Sequence, residues 1–158
     1  MTAGIGWDSH RLAAGRPLIL GGVTIPHDRG LDGHSDADVL THAVIDALLG
    51  AAALGDIGQH FPDSDERYRD ADSIELLRIV VATLAERGLR VTHVDTTVVM
   101  ERPKLAGHRD AIRASLAAAL GVEPGQVNVK ASTGEGMGFI GREEGVAALA
   151  VATLQRAE

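Results

Sequence analysis

The spacing of apolar and polar residues divides the chain into extended and helical segments. From about Ala3 to His10 the pattern suits an extended segment that opens the fold. Pro17 to Pro26 (PLILGGVTIP) is apolar and β-branched around Gly21-Gly22, which predicts a strand with a kink or a hairpin. Gly30 to Asp36 is rich in turn residues. A helix is predicted from near Asp36 to about Leu54. Val39, Ala43, Ala47 and Ala51 share one of its stripes, and Asp38, His42 and Asp46 share the neighbouring one. Gly55 to Asp72 reads as a polar loop. Asp72 or Ser73 can cap the next helix, which stops at Gly88. Val91 to Glu101 is a predicted strand that Pro103 ends, and a third helix runs from about Ala106 to Leu120, stopping at Gly121. Gln126 to Ser132 alternates as a short strand. Gly145 to Leu154 is apolar and Ala-rich, and its periodicity suits helix and strand equally. The order is roughly β-β-α-α-β-α-β, an α+β sandwich with helices on one face of a mixed sheet.

Composition narrows the function classes. With 158 residues the chain is expected to form one domain, 1–158. Apolar residues make up 45%, enough for a core, and no long polar tract argues for disorder. No apolar run approaches the roughly 18 residues of a membrane span. The N-terminus lacks a basic-then-apolar export signal, so a cytoplasmic protein without membrane contact is expected. With no cysteine, thiol catalysis and thiolate metal sites are excluded, and any metal must use His, Asp or Glu. A net charge of −7 argues against a nucleic-acid partner. An anionic ligand would need local cations, metals or helix N-termini. Aromatics are only 3%, and so light a core favours oligomerisation.

Three groups of residues carry candidate chemistry. Asp8 and His10 lie at i and i+2 of an extended segment, so they share a face and can converge on one ion. His42 on the first helix is the best third ligand. Asp, His and His around an open position is the donor set of a catalytic zinc site. Asp46, one helical turn beyond His42, is placed to accept the free imidazole N–H. His34-Ser35-Asp36 precedes the first helix and suits either an anion or plain N-capping. Ala131 to Phe139 (ASTGEGMGF) offers Ser132, Thr133 and Glu135 on a glycine-rich turn, where hydroxyls can wrap a diphosphate and a carboxylate can hold Mg²⁺.

Blocks along the whole chain resemble the 2-C-methyl-D-erythritol 2,4-cyclodiphosphate synthase family. They are Gly4-x-Gly6-x-Asp8-x-His10, Gly33-His34-Ser35-Asp36-x-Asp38 with His42, Asp46 to Gly50, Ala53 to Gly58, Phe61-Pro62-Asp63, Arg102-Pro103-Lys104, Val129-Lys130-Ala131 with Thr133 and Glu135, and Gly138 to Gly145. The resemblance implies an α/β subunit and a homotrimer with active sites between subunits, its sheets around a threefold axis. It implies one Zn²⁺ per site on Asp8, His10 and His42, and Mg²⁺ or Mn²⁺ on Glu135, bridging a diphosphate. His34 and Thr133 would stabilise the reacting phosphates, and Ser9 and Ser35 would help to bind substrate. Asp56, Ile57 and Gly58, with Phe61, Pro62, Asp63, Ser64 and Asp65, would line a methylerythritol pocket. Met100, Pro103, Lys104, Leu105 and Ala106, with Ala131 and Ser132, would hold the cytidine end from the adjacent subunit. Phe139 and Arg142 would lie near the phosphates or the threefold axis.

The implied reaction is intramolecular phosphoryl transfer on a cytidine diphosphate substrate, with release of CMP. Trp7, Ser132, Gly134, Gly136 and Glu143 depart from the family's usual residues, and Glu143 adds a charge beside Arg142. The alternatives are a zinc hydrolase, which would need a base near the metal, and a trimeric nucleotide- or metal-binding module without turnover.

Overall fold

The computed structural model describes residues 1–158. Its strands are β1 (Thr2–Ala14), β2 (Leu18–Leu20), β3 (Val23–Ile25), β4 (Arg29–Asp32), β5 (Leu89–Val99), β6 (Val127–Ser132) and β7 (Gly145–Arg156). Its helices are α1 (Val39–Ala51), α2 (Ile57–His60), α3 (Ser73–Glu86), α4 (Arg109–Leu120) and α5 (Gly138–Gly141). A five-stranded sheet has the order β4-β1-β7-β5-β6, and β2 and β3 form a separate hairpin. Only β5 and β6 pair in parallel, so the sheet is mixed. Helices α1, α3 and α4 pack on one face of it, which makes the architecture α+β.

Two glycines decide how closely α1 approaches the sheet. A Cβ on Gly4 would fall 2.1 Å from the Ala47 carbonyl oxygen, and one on Gly6 would fall 1.8 Å from that of Ala43. Helix α1 therefore rests on the backbone of β1, with Ala43 and Ala47 fully buried at the contact. The predicted small-residue stripe is this contact. Gly4 and Gly6 continue into Asp8 and His10 on the same strand face, so the seating of α1 also brings His42 over both.

Strand β7 settles the segment that periodicity left open. Its Val146, Ala148, Ala150, Ala152 and Leu154 are buried under the helices. Its other side chains point to the opposite sheet face, where Ile5 pairs with Val151 and Trp7 with Leu149. Toward the start of β1 this face is left open: Ile5 is 72% exposed, Trp7 53% and Val151 45%.

Several boundaries differ from expectation. The turn-rich stretch after Gly30 contains β4, whose Leu31 is fully buried opposite Leu12 of β1. Helix α1 starts at Val39, not near Asp36, because Asp38 is its cap. The Asp38 carboxylate accepts the Thr41 N–H at 3.0 Å and the N–H groups of Gly21 and Gly22 at 2.9 and 2.7 Å, tying the β2–β3 hairpin to the helix start. The helix ends at Ala51 rather than Leu54. The polar loop after Gly55 holds α2 and a 3-10 turn at Glu66–Tyr68. Helix α3 is capped by Asp72 as anticipated. Helix α4 starts at Arg109, three residues later than expected, and ends on left-handed Gly121 (φ 71°).

Candidate metal centre and its flanking cavities

Asp8, His10 and His42 converge. Asp8 Oδ2 lies 2.8 Å from His10 Nε2 and 3.0 Å from His42 Nδ1, and the two nitrogens are 3.3 Å apart. The neighbours assign the tautomers. His10 Nδ1 lies 2.9 Å from the Asp32 carbonyl and donates to it, which leaves Nε2 bare. His42 Nε2 lies 2.8 Å from Ser73 Oγ, whose O–H donates to the Asp36 carboxylate, so Nε2 carries the hydrogen and Nδ1 is bare. Three lone-pair-bearing atoms thus point at one spot. That arrangement is repulsive unless a cation or a proton sits between them. A tetrahedral ion with bonds of about 2.0–2.1 Å separates its ligand atoms by about 3.3 Å, close to the spacing found. The triad therefore fits a divalent metal.

The electrostatics of the metal-free triad agree. Without a metal, protons held between the imidazoles and the carboxylate take the cation's place: burial pushes the Asp8 carboxyl up, but the hydrogen bonds and charge of the two imidazoles outweigh it, and its pKa falls from the ordinary 3.8 to about 2. Burial pushes His10 down, and the hydrogen bond and charge of Asp8 outweigh it, so its pKa is raised above 6.5.

Asp46 corrects a sequence expectation. It does not meet the imidazole of His42, whose far nitrogen is taken by Ser73. Its Oδ1 accepts the N–H of Ile57 at 2.8 Å, anchoring α2 to α1. Ser73 is the functional neighbour that sequence reasoning missed; only its place at a helix start was visible.

The triad lines a cavity of about 460 Å³. Its other walls are Gly33, His34, Ser35, Ile57, Gly58, Phe61, Pro62, Asp63, Tyr68 and Leu76. Asp56 caps α2 beside it, accepting the Gln59 N–H at 3.0 Å. His34 Nε2 lies 3.1 Å from the Asp65 carbonyl, which ties the loop after α2 to the residues before α1. Ser64 is exposed on that loop. Of the alternatives at residues 34–36, the N-cap reading does not hold, because the helix cap is Asp38; Ser35 faces the cavity, and its Oγ accepts the Ala37 N–H at 3.2 Å.

A second cavity, of about 170 Å³, is lined by Met100, Pro103, Lys104, Leu105, Ala106, Arg109, Ala131, Ser132 and Thr133. It shares no residue with the metal cavity. Glu135, left-handed at φ 54°, lines neither, and its N–H donates to Thr133 Oγ1 at 3.2 Å. Ser9 points away from Asp8 and lines a separate hollow with His10, Arg11, Phe139, Glu144 and Gly145. Residues expected on one substrate therefore occupy separate surfaces of this chain.

The sequence profile of the YgbB family matches residues 1–155. The chain belongs to the YgbB family. It is 61% identical to the 2-C-methyl-D-erythritol 2,4-cyclodiphosphate synthase of Salinibacter ruber, over 99% of this chain and 100% of that one. Its fold is similar to the bifunctional IspDF of Campylobacter jejuni, with a TM-score of 0.96 and 41% identity over 99% of this chain and 42% of that longer one. It is also similar to a 2C-methyl-D-erythritol-2,4-cyclodiphosphate synthase in a CDP-bound form, with a TM-score of 0.89 and 39% identity over 97% of this chain and 99% of that one.

Against this YgbB-family background, the charge expected beside Arg142 is placed elsewhere. Arg102 grips the Glu143 carboxylate through two contacts of 2.7 and 2.8 Å, and Arg29 donates to the Glu143 carbonyl at 3.0 Å. Arg142 instead pairs with Glu144 at 3.2 Å. No helix in the chain is long and apolar enough to cross a membrane.

Proposed function

We propose that the chain converts 4-diphosphocytidyl-2-C-methyl-D-erythritol 2-phosphate to 2-C-methyl-D-erythritol 2,4-cyclodiphosphate, releasing CMP, in the non-mevalonate isoprenoid pathway. The observation that carries this reading is the convergence of Asp8, His10 and His42 on one cavity, in a chain 61% identical along its length to such a synthase. An oxygen of the substrate's 2-phosphate attacks the β-phosphorus. The bond from that phosphorus to the oxygen bridging it to the α-phosphate breaks, and CMP leaves with that oxygen. The nucleophile is already an anion, so no strong base is required; the protein must bend the substrate and align attack.

Asp8, His10 and His42 would hold Zn²⁺, and Glu135 would hold Mg²⁺ or Mn²⁺ on the diphosphate. When bound, these ions polarise phosphate oxygens and offset their charge. Ser35 and His34 face the metal cavity, where they would orient one phosphate, and Thr133 would meet the transferring group. Residues 56–58 and 61–65 would hold the methylerythritol part. The cavity around Lys104, with Ala131 and Ser132, would hold the cytidine. Phe139 and Arg142, with Ser9, flank the phosphate path.

The two cavities are separate in one chain, which supports a homotrimer whose sites lie between neighbours. The uncovered row of Ile5, Trp7 and Val151 is the surface that such an assembly would bury. A single domain working in the cytoplasm completes the reading. A zinc hydrolase is less well supported: the one carboxylate lining the metal cavity besides Asp8 is the exposed Asp63.

Phosphorus NMR of the purified protein with substrate, Zn²⁺ and Mg²⁺ tests the proposal. Appearance of CMP together with a cyclic diphosphate supports it. Linear phosphate products would point to hydrolysis, and unchanged substrate to a binding module.

A further inference from the structure

The metal centre has a back wall that the ligand triad does not explain. His42 turns Nδ1 toward Asp8 and His10 and Nε2 toward Ser73 Oγ, 2.8 Å away. Ser73 is fully buried, and its hydroxyl is hydrogen-bonded to Asp36 Oδ1. The other oxygen of that carboxylate accepts the Ser73 N–H at 3.0 Å. Asp36 is itself held from two sides: its N–H donates to the Ala71 carbonyl at 3.0 Å, and its Oδ1 accepts the Asp38 N–H at 3.1 Å. The start of α3 and the segment before α1 are thereby locked together behind the imidazole.

The donor directions follow from this set. An ionised carboxylate only accepts, so the Ser73 O–H must donate to Asp36. Ser73 Oγ is then left with lone pairs for His42, and Nε2 must carry the hydrogen. Nδ1 is therefore the bare nitrogen, and it is the one that faces Asp8 and His10. We propose that Asp36 and Ser73 are positioning residues for His42: the Asp36 carboxylate orients the Ser73 hydroxyl, which accepts the Nε2–H and holds the ring as a metal ligand through Nδ1. The proposal rests on the reading of Asp8, His10 and His42 as ligands of a divalent cation.

A carboxylate acting through a hydroxyl fixes the ring's orientation and makes its ligating nitrogen more basic. The other hydroxyl near Nε2, Ser35, is farther at 3.2 Å and already accepts the Ala37 N–H. Ser35 also lines the cavity, so its hydroxyl is free to turn to a bound phosphate while Ser73 keeps the imidazole in place. Asp46 does not take this place: it holds the Ile57 N–H and makes no hydrogen bond to His42.

The test uses the full chain stripped of metal and titrated with Zn²⁺ against a fluorescent chelator, and with Co²⁺ to read the ligand field. Thermal unfolding of the metal-free forms reports folding separately. Ser73→Ala is expected to weaken zinc binding about 10- to 100-fold and to shift the Co²⁺ visible bands. Asp36→Asn should act in the same direction by about tenfold, since its amide oxygen can still accept but carries no charge. A purely structural role for Ser73 would lower the unfolding midpoint and leave both metal readouts unchanged. Zinc affinity within twofold of the parent in Ser73→Ala, with an unaltered Co²⁺ spectrum, would overturn the proposal. If Ser73→Ala fails to fold, Asp36→Asn decides by the same two readouts. If the parent chain takes up neither metal, the ligand reading itself falls; if the parent binds and the variants bind equally, only the positioning roles fall.

Discussion

The metal cavity and the cavity around Lys104 are built in different ways. The metal cavity is held by buried contacts: α1 lies on the glycine backbone of β1, Asp38 caps it with the β2–β3 hairpin, and Ser73 and Asp36 back its histidine. The cavity around Lys104 is smaller and lies where β5 and β6 run out, with Lys104, Ala106 and Arg109 all exposed. The first is a preorganised set of ligand atoms. The second is a surface on which a flat, uncharged ring could rest. On the proposed function, the difference teaches that one chain supplies two unlike half-sites, one for charge and geometry and one for the leaving group. On the proposed reaction, they act together only when neighbouring copies meet.

The largest expected effect breaks the metal half alone. Asp8→Ala or His42→Ala should abolish zinc binding and lower turnover by at least about a thousandfold, the metal's contribution to charge stabilisation being several kcal/mol. CDP binding to the other half should change less than about twofold, since sites without shared partners behave independently. Metal analysis and calorimetry with CDP check both parts. A large loss of CDP binding would erase the distinction between the halves.

Gly6→Ala should be the most damaging change to folding. Its Cβ would lie 1.8 Å from a backbone oxygen, so α1 must move off β1. A loss of about 3 kcal/mol or more is expected, read in urea unfolding, with zinc affinity falling as His42 is carried away from Asp8 and His10. A stable variant with parental zinc affinity would show that the seating of α1 does not set the triad.

Lys104→Ala should act on the second half only. Loss of one exposed cation near the nucleotide should weaken CDP binding about tenfold and leave zinc affinity unchanged.

The smallest effect is the pH dependence of the metal-free protein. The lowered pKa of Asp8 adds stability that is present above pH 3.8 and is lost as pH falls toward about 2. The raised pKa of His10 adds stability that is full below pH 6.5 and is lost as pH rises through its folded value. Without metal, the unfolding midpoint should therefore drop by a few degrees between about pH 6 and 8. With zinc the trend should reverse, because protons compete with the metal for the same atoms.

Much of this molecule was legible in its residues. The i, i+2 pair of Asp8 and His10 and the placement of His42 needed only strand alternation and a helix, and the triad formed as read. The hairpin at Gly21-Gly22 and the glycine stop at Gly121 were equally local. What failed depended on contacts between distant segments. Asp46 looked like a partner for His42 because one helical turn separates them, but α2 folds back and offers Ile57 N–H first. Ser73 and Asp36 lie 37 residues apart and meet only because α3 starts behind α1. Residues 145–156 hid their strand because alternate positions facing α1 are mostly alanine, which suits either structure. Glu143 was expected beside Arg142, but the chain turns at φ 56° there and delivers the carboxylate to Arg102.

The most direct test of the shared site is complementation. His42→Ala lacks the metal half and Thr133→Ala the nucleotide half, and each alone should be nearly inactive. Co-expressed at equal levels, mixed oligomers should regain turnover in about a quarter of their sites, those that pair an intact metal half with an intact neighbouring half. Phosphorus NMR showing cyclic diphosphate and CMP from the mixture, but from neither variant alone, is the predicted result. A mixture as inactive as its two components would contradict a site completed between copies of this chain.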